Sequence, residues 1–154
     1  MSISRRSPRG RGASSHSRAQ ALVEFSIVAP IFFLILFGII DFGRYIYYTQ
    51  ALNNAAREGA RYAIVHGELG IPQTGPGPGS SDPTGNAVRT VVRNYAIGVV
   101  ALNNSDIAVS WDPPINKRNS KVTVVVTYGF RSVIPLVPIP PITVTGASTL
   151  VINN

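Results

Sequence analysis

The chain has 154 residues, a formal charge of +7 and no cysteine. The missing sulfur excludes disulfides, thiol catalysis, thiolate metal sites and lipid attachment through a cysteine. Arg5, Arg6, Arg9, Arg11 and Arg18 supply +5 of the charge, leaving +2 for all that follows and no basic stripe with interleaved aromatics, so nucleic acid is not an expected partner.

Residues 1–19 are polar, rich in Arg, Ser and Gly, and lack apolar periodicity, which predicts a basic, disordered leader. Ala21 to Ile40 then read ALVEFSIVAPIFFLILFGII, with Glu24 as the one charge and Pro30 as the one helix breaker. At about 1.5 Å per residue such a run crosses the roughly 30 Å hydrocarbon core of a bilayer as a helix. A bilayer core offers the backbone no water, so helix is the state that satisfies its N–H and C=O groups. Pro30 lacks the N–H that would bond Ser26, and a modest kink is expected there. Arginine-rich flanks stay on the cytoplasmic side, so the N-terminus is expected in the cytoplasm and the rest outside, in a single-pass protein of the cytoplasmic membrane.

A secretory signal carries its small residues after the apolar core. Here DFGRYIYYTQ follows Ile40 and offers no such site; the small residue is Ala19, before the core, in RAQALVEF. A cut between Ala19 and Gln20 would remove the basic leader and keep the anchor, which is the logic of a prepilin leader.

From Arg18 to Gly67 the chain resembles the N-terminal signature of the TadE-like family, the minor pseudopilins of the bacterial tight-adherence (Flp) pilus system. The resemblance rests on Ala19, on Gln20 to Phe25 (QALVEF) and on Ala29-Pro30 within the apolar run. It continues through the Gly38 to Arg44 exit and Ala55 to Arg61 (AAREGAR). Ala19 stands where the family more often has glycine. The resemblance implies a prepilin peptidase, other pilus or pseudopilus subunits and the tight-adherence assembly platform as partners, beside the lipid bilayer itself.

Glu24 needs compensation, since a charged side chain costs about 2.5–3.5 kcal/mol at mid-membrane and less toward the interface. A new N-terminal ammonium at Gln20 would lie one helical turn away. The resemblance implies a second use, in which Glu24 meets the terminal amine of a neighbouring subunit. The plain alternative is a carboxylate that marks the boundary and snorkels to water.

Beyond the span, Asp41 and Arg44 are spaced as an interfacial ion pair, and the helix is expected to run on and stop at His66-Gly67. Small residues at Ala51, Ala55, Gly59 and Ala63 share one face and permit close packing, on this protein's own domain or on another helix. Residues 67–83 are rich in Gly, Pro and Ser and predict a mobile surface loop. Residues 84–154 are expected to form a small α+β module. Its second helix, capped by Thr84 or Asn86, would run to about Leu102, with Val88, Val91, Val92, Tyr95 and Val99 at helical spacing.

The period then switches to two: Ile107, Val109 and Trp111; Val122, Val124, Val126 and Tyr128; Ile142, Val144, Leu150 and Ile152. This predicts a three- to four-stranded antiparallel sheet covered on one face. Between the last two strands the apolar, proline-rich stretch bearing Ile134, Leu136, Val137 and Ile139 is expected to meet the membrane, meet a partner, or fold back over the sheet.

No constellation for chemistry emerges. The two histidines, His16 and His66, lie far apart, and GPGPG at residues 75–79 lacks the lysine and the helix of a phosphate loop. The expectation is a non-enzymatic chain without cofactor: a pseudopilin-like subunit, or alternatively an anchored binding module or adhesin belonging to no pilus.

Overall fold

The computed structural model describes residues 13–133 and 140–153. Helix α1 spans Ala13–Val65 and runs through Pro30 without interruption. It starts inside the stretch whose composition predicts disorder. Extending a formed helix costs far less than nucleating one, so the apolar run carries its helix back through Ala13 to Ala19. The chain divides at Ile40 and Asp41 into two compact units.

In the first unit the apolar side chains have no protein cover. Leu22, Phe25, Ile31, Phe32, Ile35 and Ile39 are all exposed, and none of the most apolar window is buried. A core helix of a water-soluble domain would be wrapped by its own chain. This bare, apolar helix is long enough to cross a membrane and fits a single-pass membrane protein.

The second unit is an α+β module. The outer part of α1, from Asp41, joins helix α2 (Asn86–Ala96), a short 3-10 turn (Asn104–Asp106) and strands β1 (Ile107–Asp112), β2 (Lys121–Phe130) and β3 (Ile142–Val151). The strands form one antiparallel sheet in the order β1-β2-β3, with Val109 opposite Val124 and Val124 opposite Ser148. Alternation puts Val122, Val124 and Val126 of β2 and Val144 of β3 on the inner face, all buried. The helices close that face with Leu52, Ala55, Ala56, Ala60 and Ala63 of α1 and Val88, Val92 and Ala96 of α2.

Two expectations need correction. Helix α2 ends at Ala96, short of Leu102, because the amides of Val99 and Val100 both turn back to the Ala96 carbonyl at 2.8 Å. The turn contains Gly98 and lets Val100 and Leu102 point inward without more helix. The stretch from residue 67 is also more than a surface loop. Thr74 is buried, its amide bonds the His66 carbonyl at 2.8 Å, and the buried Asn116 donates to the Thr74 carbonyl at 3.1 Å. The ring of Trp111 lies against Gly75 and Gly85. Glycine and proline here serve a fixed path that composition alone reads as mobility.

Candidate functional site

Three groups of polar residues carry the organisation. The first lies on the bare part of α1. The Gln20 side-chain amide donates to Glu24 Oε1 at 3.1 Å, one turn on, so the residue expected to become the new N-terminus is already within reach of that carboxylate. Both side chains are exposed. The Ala19–Gln20 junction lies inside continuous helix.

The second group surrounds Asp41, the first residue of the module. Sequence spacing identifies its ion pair with Arg44, and Arg44 Nη1 lies 2.8 Å from Asp41 Oδ1. The carboxylate also accepts the Ser132 hydroxyl and, at 2.9 Å, the Val133 amide. Asp41 is buried and holds the chain just beyond β2 against the start of the outer helix. The Ser132 hydroxyl outweighs desolvation and, with the Val133 amide and Arg44, holds the Asp41 carboxyl below its usual range. Arg44 lies over Phe130, 5.2 Å from the ring centre, and over Tyr48 at 5.8 Å. Tyr45 and Tyr48 pack edge to face on Phe130 at 6.0 and 5.8 Å, and Tyr48 lies tilted against Tyr128 at 5.6 Å. Ser132 and Val133 leave no local trace in sequence, since they lie 91 and 92 residues from Asp41.

The third group centres on Asp82. Its carboxylate accepts the amides of Asn86 and Ala87, each at 2.8 Å, and the Thr74 hydroxyl at 2.8 Å. The start of α2 is therefore held from Asp82, four and five residues back, with Gly85 in the cap position in a left-handed conformation; neither Thr84 nor Asn86 is the capping side chain. Desolvation pushes the Asp82 carboxyl up, but the Ala87 and Asn86 amides and the Thr74 and Thr84 hydroxyls outweigh it and keep it low. A depressed folded-state value means the stabilisation is full above the unfolded value, about 3.9, and is lost as pH falls through the folded one. Acid titration of the full chain in detergent, followed by the fluorescence of Trp111, is expected to unfold the module below about pH 4, and Asp82→Asn to flatten that dependence.

The small-residue face lies within the module. Ala55, Gly59 and Ala63 are buried and Ala51 is half-buried. A second row beside it, Leu52, Ala56 and Ala60, is fully buried and escapes a reading that follows one stripe. Gly59 packs so closely on Val92 that a β-carbon there would collide with its side chain. Residues Ile134, Leu136, Val137 and Ile139 lie outside the described residues. Among the described residues no group of three or more His, Asp or Glu is placed to hold a metal ion.

Comparison with protein-family models gives a match at residues 19–61 to the family described as TadE-like protein. The match covers less than a third of the chain and takes in Glu24, the bare helix, Asp41, Arg44 and most of the small-residue face. Comparisons with curated proteins and with solved structures return no match.

Proposed function

We propose, on the premise that residues 19–61 are a TadE-like segment, that this chain is a minor pseudopilin-like subunit in the biogenesis of a tight-adherence pilus. In this reading its role is structural and not enzymatic. The N-terminus lies in the cytoplasm, the apolar helix in the cytoplasmic membrane and the α+β module outside. Its partners are lipid, other pilus or pseudopilus subunits, the assembly platform and a prepilin peptidase.

One observation carries the reading: an uncovered apolar helix whose single acid, Glu24, already accepts a hydrogen bond from Gln20 at the expected cut. In a plain anchor such an acid can only snorkel to water, whereas a subunit with a free amine at residue 20 can pair with it in its own chain or a neighbour's. Mass measurement and N-terminal sequencing of the membrane-extracted chain test this. A mature start at Gln20 supports pilin-like processing; an intact Met1 supports an anchored adhesin and ends the proposal. Glu24→Ala is expected to insert normally but to reduce co-purification with pilus components about fivefold, as expected for loss of about 1 kcal/mol per pairing.

A further inference from the structure

The module presents an apolar knob at one end and a cleft with aliphatic walls and a basic side chain at the other, and we propose that the knob of one copy docks in the cleft of a second. The knob follows the end of α1, where Leu69 and Ile71 stand 76% and 95% exposed on the turn after Gly67. This turn is held in place. The Glu68 amide donates to the Asn116 carbonyl at 2.9 Å, Gly70 to Gly67 at 2.9 Å, and the Gln73 side chain to the Glu68 carbonyl. The backbone that carries these two aliphatic side chains is already ordered, so only their own rotamers remain to be fixed on docking.

The cleft lies at the C-terminal end of α2, lined by Ile97, Val100, Ala101 and Leu102 with Arg93 and Asn94 as its polar members, and has a volume of about 190 Å³. An apolar cavity of about 150 Å³ holds a benzene-sized group, so an aliphatic side chain fits. Arg93 lines it with a buried Nε that has no hydrogen-bond partner among the described residues, and Ile97 at its mouth is 77% exposed. The guanidinium charge that Arg93 brings to the lining favours an anionic group on whatever docks there. Glu68 beside the knob enters no ion pair among the described residues. Acid with aliphatics on one side thus faces base with aliphatic walls on the other.

The two surfaces cannot satisfy each other within one molecule. The start of α2 is tied through Asp82 to Thr74, at the knob end, and the 11 residues of α2 carry the chain about 16 Å away before the cleft begins. Lipid is a poor occupant for the knob, since about 36 Å of helix separates Asp41, where the apolar run ends, from Val65. Contact between unlike surfaces of identical copies is heterologous and generates an open chain of subunits.

The chain contains no cysteine, so introduced pairs report cleanly. In the full-length chain purified in detergent, a variant carrying both Leu69→Cys and Ile97→Cys is expected to give a ladder of disulfide-linked oligomers on mild oxidation. A mixture of the two single variants is expected to give dimers only, and each single variant alone none. Adding Glu68→Arg is expected to cut the ladder about tenfold through like-charge contact with Arg93, and a further Arg93→Glu to restore it. Self-linking of either single variant would show a symmetric contact and overturn the proposal. Failure to link would also overturn it, whether the thiols react with maleimide or prove inaccessible. The purified chain contains no other pilus component, so this result is independent of whether the leader is cut at Gln20.

Discussion

Gly146→Ala is expected to lower the melting temperature of the α+β module by about 10 °C or more. Gly146 lies on β3 opposite Val126, on the buried face, where the outer part of α1 crosses the sheet. A β-carbon there would overlap the carbonyl carbon of Leu52 and come within 2.6 Å of the Asn53 nitrogen and 2.7 Å of the Leu52 oxygen. These are backbone atoms of a helix and cannot rotate aside. Overpacking a fitted core costs about 1–3 kcal/mol even where side chains give way, so the upper end applies. Gly59→Ala is the informative contrast, because the added carbon meets a side-chain methyl of Val92, which can move. Thermal melts of the full chain in detergent, read at Trp111, are expected to rank Gly146→Ala well below Gly59→Ala. Equal melting temperatures would mean that helix and strand are less closely packed than described.

Asp41→Ala is expected to destabilise the module by about 3 kcal/mol, although the side chain is small and lies at the module's edge. The substitution removes the acceptor for the Ser132 hydroxyl, the Val133 amide and Arg44 in a single step. All three bonds are part-buried and end on a carboxylate, and a hydrogen bond to a charged group contributes roughly 1.5–3 kcal/mol. Arg44 keeps its contacts with Phe130 and Tyr48 and is one-third exposed, which limits its share. Asp41→Asn keeps one acceptor oxygen and is expected to recover about half the loss. Hydrogen exchange places the effect: Val133 is expected to lose protection in Asp41→Ala while the inner strand residues Val124 and Val126 lose much less. Uniform loss across the sheet would show that Asp41 supports the whole module and not the chain beyond β2.

Elements governed by local pattern could be read from the chain. The apolar run specifies its helix because no other backbone state is satisfied in hydrocarbon. The strands declare themselves through Val122, Val124 and Val126, whose two-residue period matches a sheet covered on one face. Position-specific features that depend on distant residues could not be read. Asp41 with Ser132 and Val133, and Thr74 with Asn116, join segments far apart in sequence, and nothing in the composition around 67–83 distinguishes a braced loop from a loose one. The end of α2 was illegible for a related reason. Val99, Val100 and Leu102 continue a helical apolar spacing, yet they reach the core from a turn closed on the Ala96 carbonyl. Residue type and spacing placed the Asp41–Arg44 pair and the buried Ala55–Gly59–Ala63 face, whereas the capping role of Asp82 depended on how the loop before α2 folds back.

The uncovered helix from Leu22 to Ile40 is expected to reside in lipid. The most direct test is flotation of the full-length chain, expressed in bacterial cells, through a density gradient after an alkaline carbonate wash. The protein is expected to rise with the membranes and to be released only by detergent. Recovery of the intact chain in the wash as a detergent-free, monomeric protein would contradict it.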